Sequence, residues 1–274
     1  MCRNLRQSLA DAPPPCDEQT QTANGTLPDA DWCLQSDASS CPIHVFRASA
    51  AYDLHEADTV RDTNPDNAKL IKKGWHVDWA VAQPDYAAEY PEKLAMAVFV
   101  KGEIAVLALK GTDPGSMSDV HLDASSIVGG VPPCGPLLLA AAKVQEYQAN
   151  GKSVMVTGHS LGGYMAEVVA TNCQISGVGF CAPGSGWHAG KAHAGFQNVN
   201  FQNDWAGNVG AGVFEHPQWS VYVEDSGRMP THSIDYMVLC MANEGRSSFT
   251  NQNVVANCRS GWSGYYTSFT TPRP

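Results

Sequence analysis

Gly158-His159-Ser160-Leu161-Gly162 sets one serine between two glycines. The apolar run Val154-Met155-Val156 precedes it, and Tyr164 to Thr171 reads as helix. A serine hydroxyl is a weak nucleophile near neutral pH. It needs a base to take its proton, an acid to orient that base and donors for the oxyanion. Strand, Gly-x-Ser-x-Gly turn and helix together fit a nucleophile elbow, a sharp bend that lifts a serine above a parallel sheet. Gly158 and Gly162 stand where a Cβ would collide with that strained turn. The following helix aims its free N–H groups and dipole at the hydroxyl, and the backbone N–H of Leu161 is one oxyanion donor.

The partners are sought downstream, in the order serine, acid, histidine. Asp204 lies in Gln202-Asn203-Asp204-Trp205, after the strand-like run Val199 to Gln202. His232 lies in Thr231-His232-Ser233, after the run Ser220 to Val223. Loops at the carboxyl ends of strands are where such sheets carry their chemistry. Asp225 is the alternative acid, and His216, beside Pro217, the alternative base. His159 reads as packing, or as a support to the catalytic residues, rather than as catalytic itself. His188 and His193, in glycine-rich chain, read as solvated, and Leu54-His55-Glu56 lacks the second histidine of a zinc-protease helix. No metal and no cofactor are expected.

The elements that must position these residues run from Leu94 onward. Leu94 to Val100 and Ile104 to Leu109 are β-rich and joined by Lys101-Gly102-Glu103, a hairpin. A glycine- and proline-rich loop, Asp113 to Pro136, leads to a helix over Leu137 to Gln148. The elbow follows, then strands over Gly177 to Cys181, Val199 to Gln202 and Ser220 to Val223, and a last helix over Ser233 to Ala242. Upstream, Asn64 to Lys73 is helix-like and Trp75 to Val81 alternates like a strand. This alternation predicts an α/β fold with a mostly parallel central sheet and helices on both faces. Residues 1–42, with Pro13-Pro14-Pro15 and four cysteines, form an irregular Cys/Pro-rich arm; residues 43–274 form the catalytic domain and end in a polar tail.

Composition narrows the partners. A net charge of −10 over 274 residues argues against nucleic acid and against a polybasic membrane patch. No apolar run approaches the roughly 20 residues of a transmembrane helix. No signal peptide is visible at the amino end, while nine cysteines and the sequon Asn24-Gly25-Thr26 lean toward an exported protein. Cys181, on a core strand, reads as a free buried thiol.

Several stretches together resemble the class 3 lipase family of α/β hydrolases, which contains fungal lipases and related phospholipases. They are Ala108-Leu109-Lys110-Gly111-Thr112, the spaced Asp119 and Asp123, Val156 to Gly163, Gly179-Phe180-Cys181-Ala182-Pro183-Gly184, Asn203-Asp204 and His232. Lys110 stands where the family has arginine, and the serine–acid and acid–histidine spacings are shorter than in the fungal enzymes. The resemblance implies the α/β-hydrolase fold and hydrolysis of lipid-like esters through Ser160, Asp204 and His232. It implies Thr112 as second oxyanion donor. It also implies a lid in the loop carrying Gly115, Met117, Asp119, Asp123 and Ile127, against which the plain reading is a packed surface loop. The expected partner is a lipid or ester substrate at a membrane or micelle surface. The same three residues would also serve an acyltransferase or thioesterase. A silent hydrolase fold kept as an interaction module is the reading from another class.

Overall fold

The structure, a computed structural model, describes residues 65–81, 95–111, 134–184, 195–201, 204–207, 219–223, 232–234, 237 and 267–268. The arm over 1–42, Thr112, the expected lid and the alternatives Asp225 and His216 lie outside the described residues.

The chain runs α1 (Pro65–Lys72), β1 (His76–Val81), β2 (Met96–Lys101), β3 (Ile104–Leu109), α2 (Cys134–Ala149), β4 (Ser153–His159), α3 (Leu161–Cys173), β5 (Ser176–Phe180), β6 (Phe196–Phe201), β7 (Trp219–Val223) and β8 (Thr267–Ser268). Among the described residues, the strands join one eight-stranded sheet whose spatial order is the sequence order. β1, β2 and β3 pair antiparallel, β3 through β7 pair parallel, and β8 closes the edge antiparallel to β7. The hairpin expected at Lys101-Gly102-Glu103 is present, with Lys101 paired to Ile104 and Gly102 at φ 56°.

β2, β3 and β4 are buried along nearly their whole length, which is why they read as unbroken apolar runs. Met96, Val98, Leu107, Leu109, Val154 and Val156 point to one face, where they pack with Leu137, Val144, Tyr164 and Met165 of α2 and α3. Burying each such side chain is worth about 1.5–3 kcal/mol. A sequential strand order with right-handed crossovers carries α2 and α3 to the same side. The alternate residues Ala97, Phe99, Val106, Ala108 and Met155 are buried as well, so the sheet is covered on both faces. A bulge at Asp78 interrupts the β1–β2 register, and Tyr147 of α2 donates its hydroxyl proton to that carboxylate.

Several boundaries differ from the sequence reading. β6 begins at Phe196, three residues before the expected Val199, and ends at Phe201. α2 begins at Cys134, so the last residues assigned to the Asp113–Pro136 loop are helical. Pro136 reads as a breaker, yet in the first turn its missing N–H costs nothing, because no intrahelical acceptor exists there. The polar tail, in which the sequence reading placed no element, contains β8, which pairs Thr267 with Tyr222 and Ser268 with Val221. Of the last expected helix, the amide of Met237 donates to the Ser233 carbonyl at 3.0 Å, and most of its other residues lie outside the description.

Candidate active site

Strands β4 to β7 run parallel and end on one edge of the sheet, and the site is built from residues just beyond those ends. Ser160 comes after β4, Cys181 after β5, Asp204 three residues after β6, and His232 after β7 at the end of a longer connection. Backbone bonds stagger these strand ends together. The Ser160 amide donates to the Phe180 carbonyl and the Cys181 amide to the Val199 carbonyl, each at 2.9 Å.

Ser160 sits at φ 56° and ψ −126°, a conformation that costs a non-glycine residue about 1–3 kcal/mol. The turn is held by close packing on both sides. A Cβ on Gly158 would strike the Gly162 carbonyl, and one on Gly162 would strike the Leu109 carbonyl oxygen and come within 2.7 Å of the Lys110 carbonyl carbon. The glycines therefore let the helix start press against the ends of β3 and β4. Leu161 opens α3, where the first backbone N–H groups have no intrahelical acceptor.

Ser160 Oγ lies 2.8 Å from His232 Nε2. His232 Nδ1 lies 3.0 Å from Asp204 Oδ1 and 3.2 Å from Oδ2. An ionised carboxylate only accepts, so Nδ1 donates its proton to Asp204 and Nε2 accepts from the serine hydroxyl. Asp204 is fully buried, and its Oδ1 also accepts the backbone N–H groups of Ala206 at 2.8 Å and Gly207 at 3.0 Å. The imidazole touches Trp205 and His159, with ring centroids 4.9 and 5.1 Å away. This line can pass a proton from hydroxyl to imidazole while the carboxylate steadies the resulting positive ring.

The structure thus brings Ser160, Asp204 and His232 together, with Leu161, Gly158 and Gly162 beside them. Four further residues belong to the neighbourhood. Cys181 is buried, forms no disulfide and sits at φ 51°, one residue beyond the strand expected to contain it. Its thiol hydrogen-bonds to Asp204; burial first, then the charge of that carboxylate, push its pKa well above the usual thiol value. His159 is held neutral, its pKa lowered by burial and secondarily by His232. Asn198 and Asn200, both fully buried on β6, brace the adjoining turns. The Asn198 amide donates to the Ala182 carbonyl at 2.9 Å, and Asn200 Oδ1 accepts the Ala182 N–H at 3.1 Å. The signal for this pair was available: two asparagines at alternate positions of an apolar strand need buried partners.

A mostly parallel sheet with a strand–serine–helix bend at its carboxyl edge is the α/β-hydrolase fold. Among solved structures, the chain is similar in fold to a fungal lipase, with a TM-score of 0.50 and 12% identity over 69% of this chain and 80% of that one. The Lip2 lipase of Yarrowia lipolytica gives 0.47 and 12% over 67% and 77%, and the lipase of Rhizopus microsporus var. chinensis 0.43 and 12% over 69% and 75%. At such identities the likeness is one of fold. No protein-family model matches the sequence, and neither does any curated protein.

Proposed function

We propose that this protein is a serine carboxylic ester hydrolase acting on lipid-like esters. The observation that carries the reading is the 2.8 Å contact of Ser160 Oγ with His232 Nε2, the other ring nitrogen of which is held by Asp204. In the proposed reaction Ser160 attacks the ester carbonyl while His232 takes its proton. The carbonyl oxygen gains charge against the Leu161 N–H and, by the resemblance, Thr112. His232 then gives the proton to the leaving alcohol, an acyl-serine remains, and water activated by His232 releases the acid. Asp204 orients the ring and stabilises its charged form.

The lipid-like substrate class rests on the family resemblance and on the fold shared with fungal lipases. With it goes the proposal that the segment bearing Gly115, Met117, Asp119, Asp123 and Ile127 is a lid that opens at a lipid surface. No helix among the described residues is long and apolar enough to cross a membrane. With a net charge of −10, contact with lipid would come from apolar side chains rather than charge attraction, each Å² buried contributing about 25 cal/mol. A fluorophosphonate probe tests the reading directly, since only an activated serine reacts. Labelling of the wild-type chain that disappears in Ser160→Ala is the expected result. Hydrolysis of short-chain esters, triglyceride emulsions and phospholipid vesicles then sets the substrate class, and a rate that does not rise when the ester aggregates removes the lid.

A further inference from the structure

Beside the serine–histidine contact lies a second arrangement, and two of its three members, His159 and Cys181, have no part in ester hydrolysis. One ligating atom each from His159, Cys181 and His232 falls within 4.8 Å of the other two. They converge from three separate strand ends, β4, β5 and the connection after β7. Two imidazole nitrogens and a sulfur are a borderline-soft donor set of the kind zinc takes. With Zn–N near 2.0–2.1 Å and Zn–S near 2.3 Å, two nitrogens and a sulfur in tetrahedral positions stand about 3.3–3.6 Å apart. Closing from 4.8 Å asks each donor to move by less than about 1 Å, within the reach of χ rotations.

We propose that His159, Cys181 and His232 form a binding site for a soft divalent cation of the zinc class, and that filling it switches off Ser160. Charge supports the binding. The ion displaces the thiol proton to solvent and forms a metal–sulfur bond, which leaves one positive charge. The buried Asp204 carboxylate, in contact with both Cys181 and His232, offsets that charge, so no unpaired charge is buried. His232 is the most open of the three donors, so the ion arrives past its ring.

The effect on activity rests on the role proposed for His232; the binding does not. A neutral imidazole has one lone pair. If the ion takes Nε2, Ser160 loses its proton acceptor. If it takes Nδ1, the ring proton must sit on Nε2, which then cannot accept either.

The test uses Cd²⁺ and Zn²⁺ on the full chain. Cd²⁺ titration of the wild type is followed by the thiolate-to-metal charge-transfer band in the near ultraviolet. Because the chain has nine cysteines, the reading is the difference between wild type and Cys181→Ala. One equivalent of Cd²⁺ should account for that difference, and His159→Gln should weaken it by about 100-fold or more, since even an outer-shell partner is worth about 10–100-fold in affinity. Zn²⁺ should suppress fluorophosphonate labelling of the wild type reversibly, with recovery on adding a chelator. The same Zn²⁺ should do far less to Cys181→Ala, each protein being compared with its own metal-free rate. If Cys181→Ala does not fold, Cys181→Gly removes the thiol at a backbone position glycine accepts freely. Identical Cd²⁺ spectra for wild type and thiol-less chain would overturn the site. A cadmium difference with unchanged labelling in Zn²⁺ would overturn the switch. Absence of labelling without any metal would count against the hydrolase reading alone, because the spectroscopic result stands apart from it.

Discussion

At its amino end α3 is preceded by Ser160, at φ 56° and ψ −126°; at its carboxyl end it runs into Gln174, at φ 53° and ψ 43°. Both residues occupy backbone that favours glycine, and both lie one residue outside the same helix. The carboxyl end is closed. The amides of Gln174 and Ile175 both donate to the Ala170 carbonyl, and the Gln174 side-chain amide donates to the Thr171 carbonyl at 2.6 Å. The amino end is left open. Serine is a favoured N-cap, yet Ser160 makes no side-chain cap bond, and its hydroxyl lies against His232 instead. The forgone cap is worth about 1 kcal/mol, and the strained turn adds about 1–3 kcal/mol. One end therefore spends its polar groups on the helix, and the other withholds them.

The largest effect should come from breaking the open end. Ser160→Ala removes the hydroxyl and should lower kcat for ester hydrolysis by about 10⁴ to 10⁶, the loss seen when an activated serine is removed from such a constellation. No cap is lost, so the thermal midpoint should stay or rise. Activity within tenfold of wild type would end the proposed mechanism.

The next effect lies in the partners of that hydroxyl. Asp204→Asn keeps an oxygen for the Ala206 and Gly207 amides but can present the wrong group to His232 Nδ1. It should cost about 10⁴ in kcat. His232→Ala should cost at least as much, and the double variant little more, because the members act as one unit. A normal rate in Asp204→Asn with a dead Asp225→Asn would transfer the role of acid to Asp225.

A smaller effect is expected where the open end is held in place. In Gly162→Ala the new methyl meets backbone rather than a movable side chain. Overpacking against the end of β3 should destabilise by about 3 kcal/mol, the upper range for such strain. Urea unfolding would measure it, and a loss below about 1 kcal/mol, the lower range, would mean that the β3–α3 approach yields easily.

The unequal ends also explain what can be read from the sequence. The elbow is legible because its glycines, apolar strand and helix are local, and the β2–β3 hairpin because its turn residues are. Placing Ser160, Asp204 and His232 in hydrogen-bond contact is a matter of strand order, which the alternation of elements suggests but local pattern does not fix. The start of α2 is hidden by Pro136, a breaker everywhere except in a first turn. β8 has two residues and so no periodicity at all. Cys181 reads as an ordinary core thiol, because nothing in Phe180-Cys181-Ala182 announces a positive φ at cysteine. Its contact with Asp204 joins chain segments whose nearness only the sheet creates.

The smallest effect tests the closed end, and it asks whether the two positive-φ residues are physically alike. Gln174→Ala keeps the unfavourable backbone and loses the bond to the Thr171 carbonyl, so it should destabilise by about 1 kcal/mol. Gln174→Gly loses the same bond but relieves the left-handed strain, worth about 1 kcal/mol, and should return close to wild type. The corresponding pair at the other end, Ser160→Ala and Ser160→Gly, should show the same order, with glycine the more stable by a similar amount. Inside α3 the order reverses, since glycine there costs roughly 0.5–1 kcal/mol relative to alanine. Both Gln174 variants should hydrolyse ester at the wild-type rate, whereas both Ser160 variants should be inactive. Thermal unfolding of the four proteins separates strain from function. If alanine proved as stable as glycine at Ser160 but not at Gln174, the bend at the serine would be imposed without strain, and the contrast between the two ends would reduce to the hydroxyl alone.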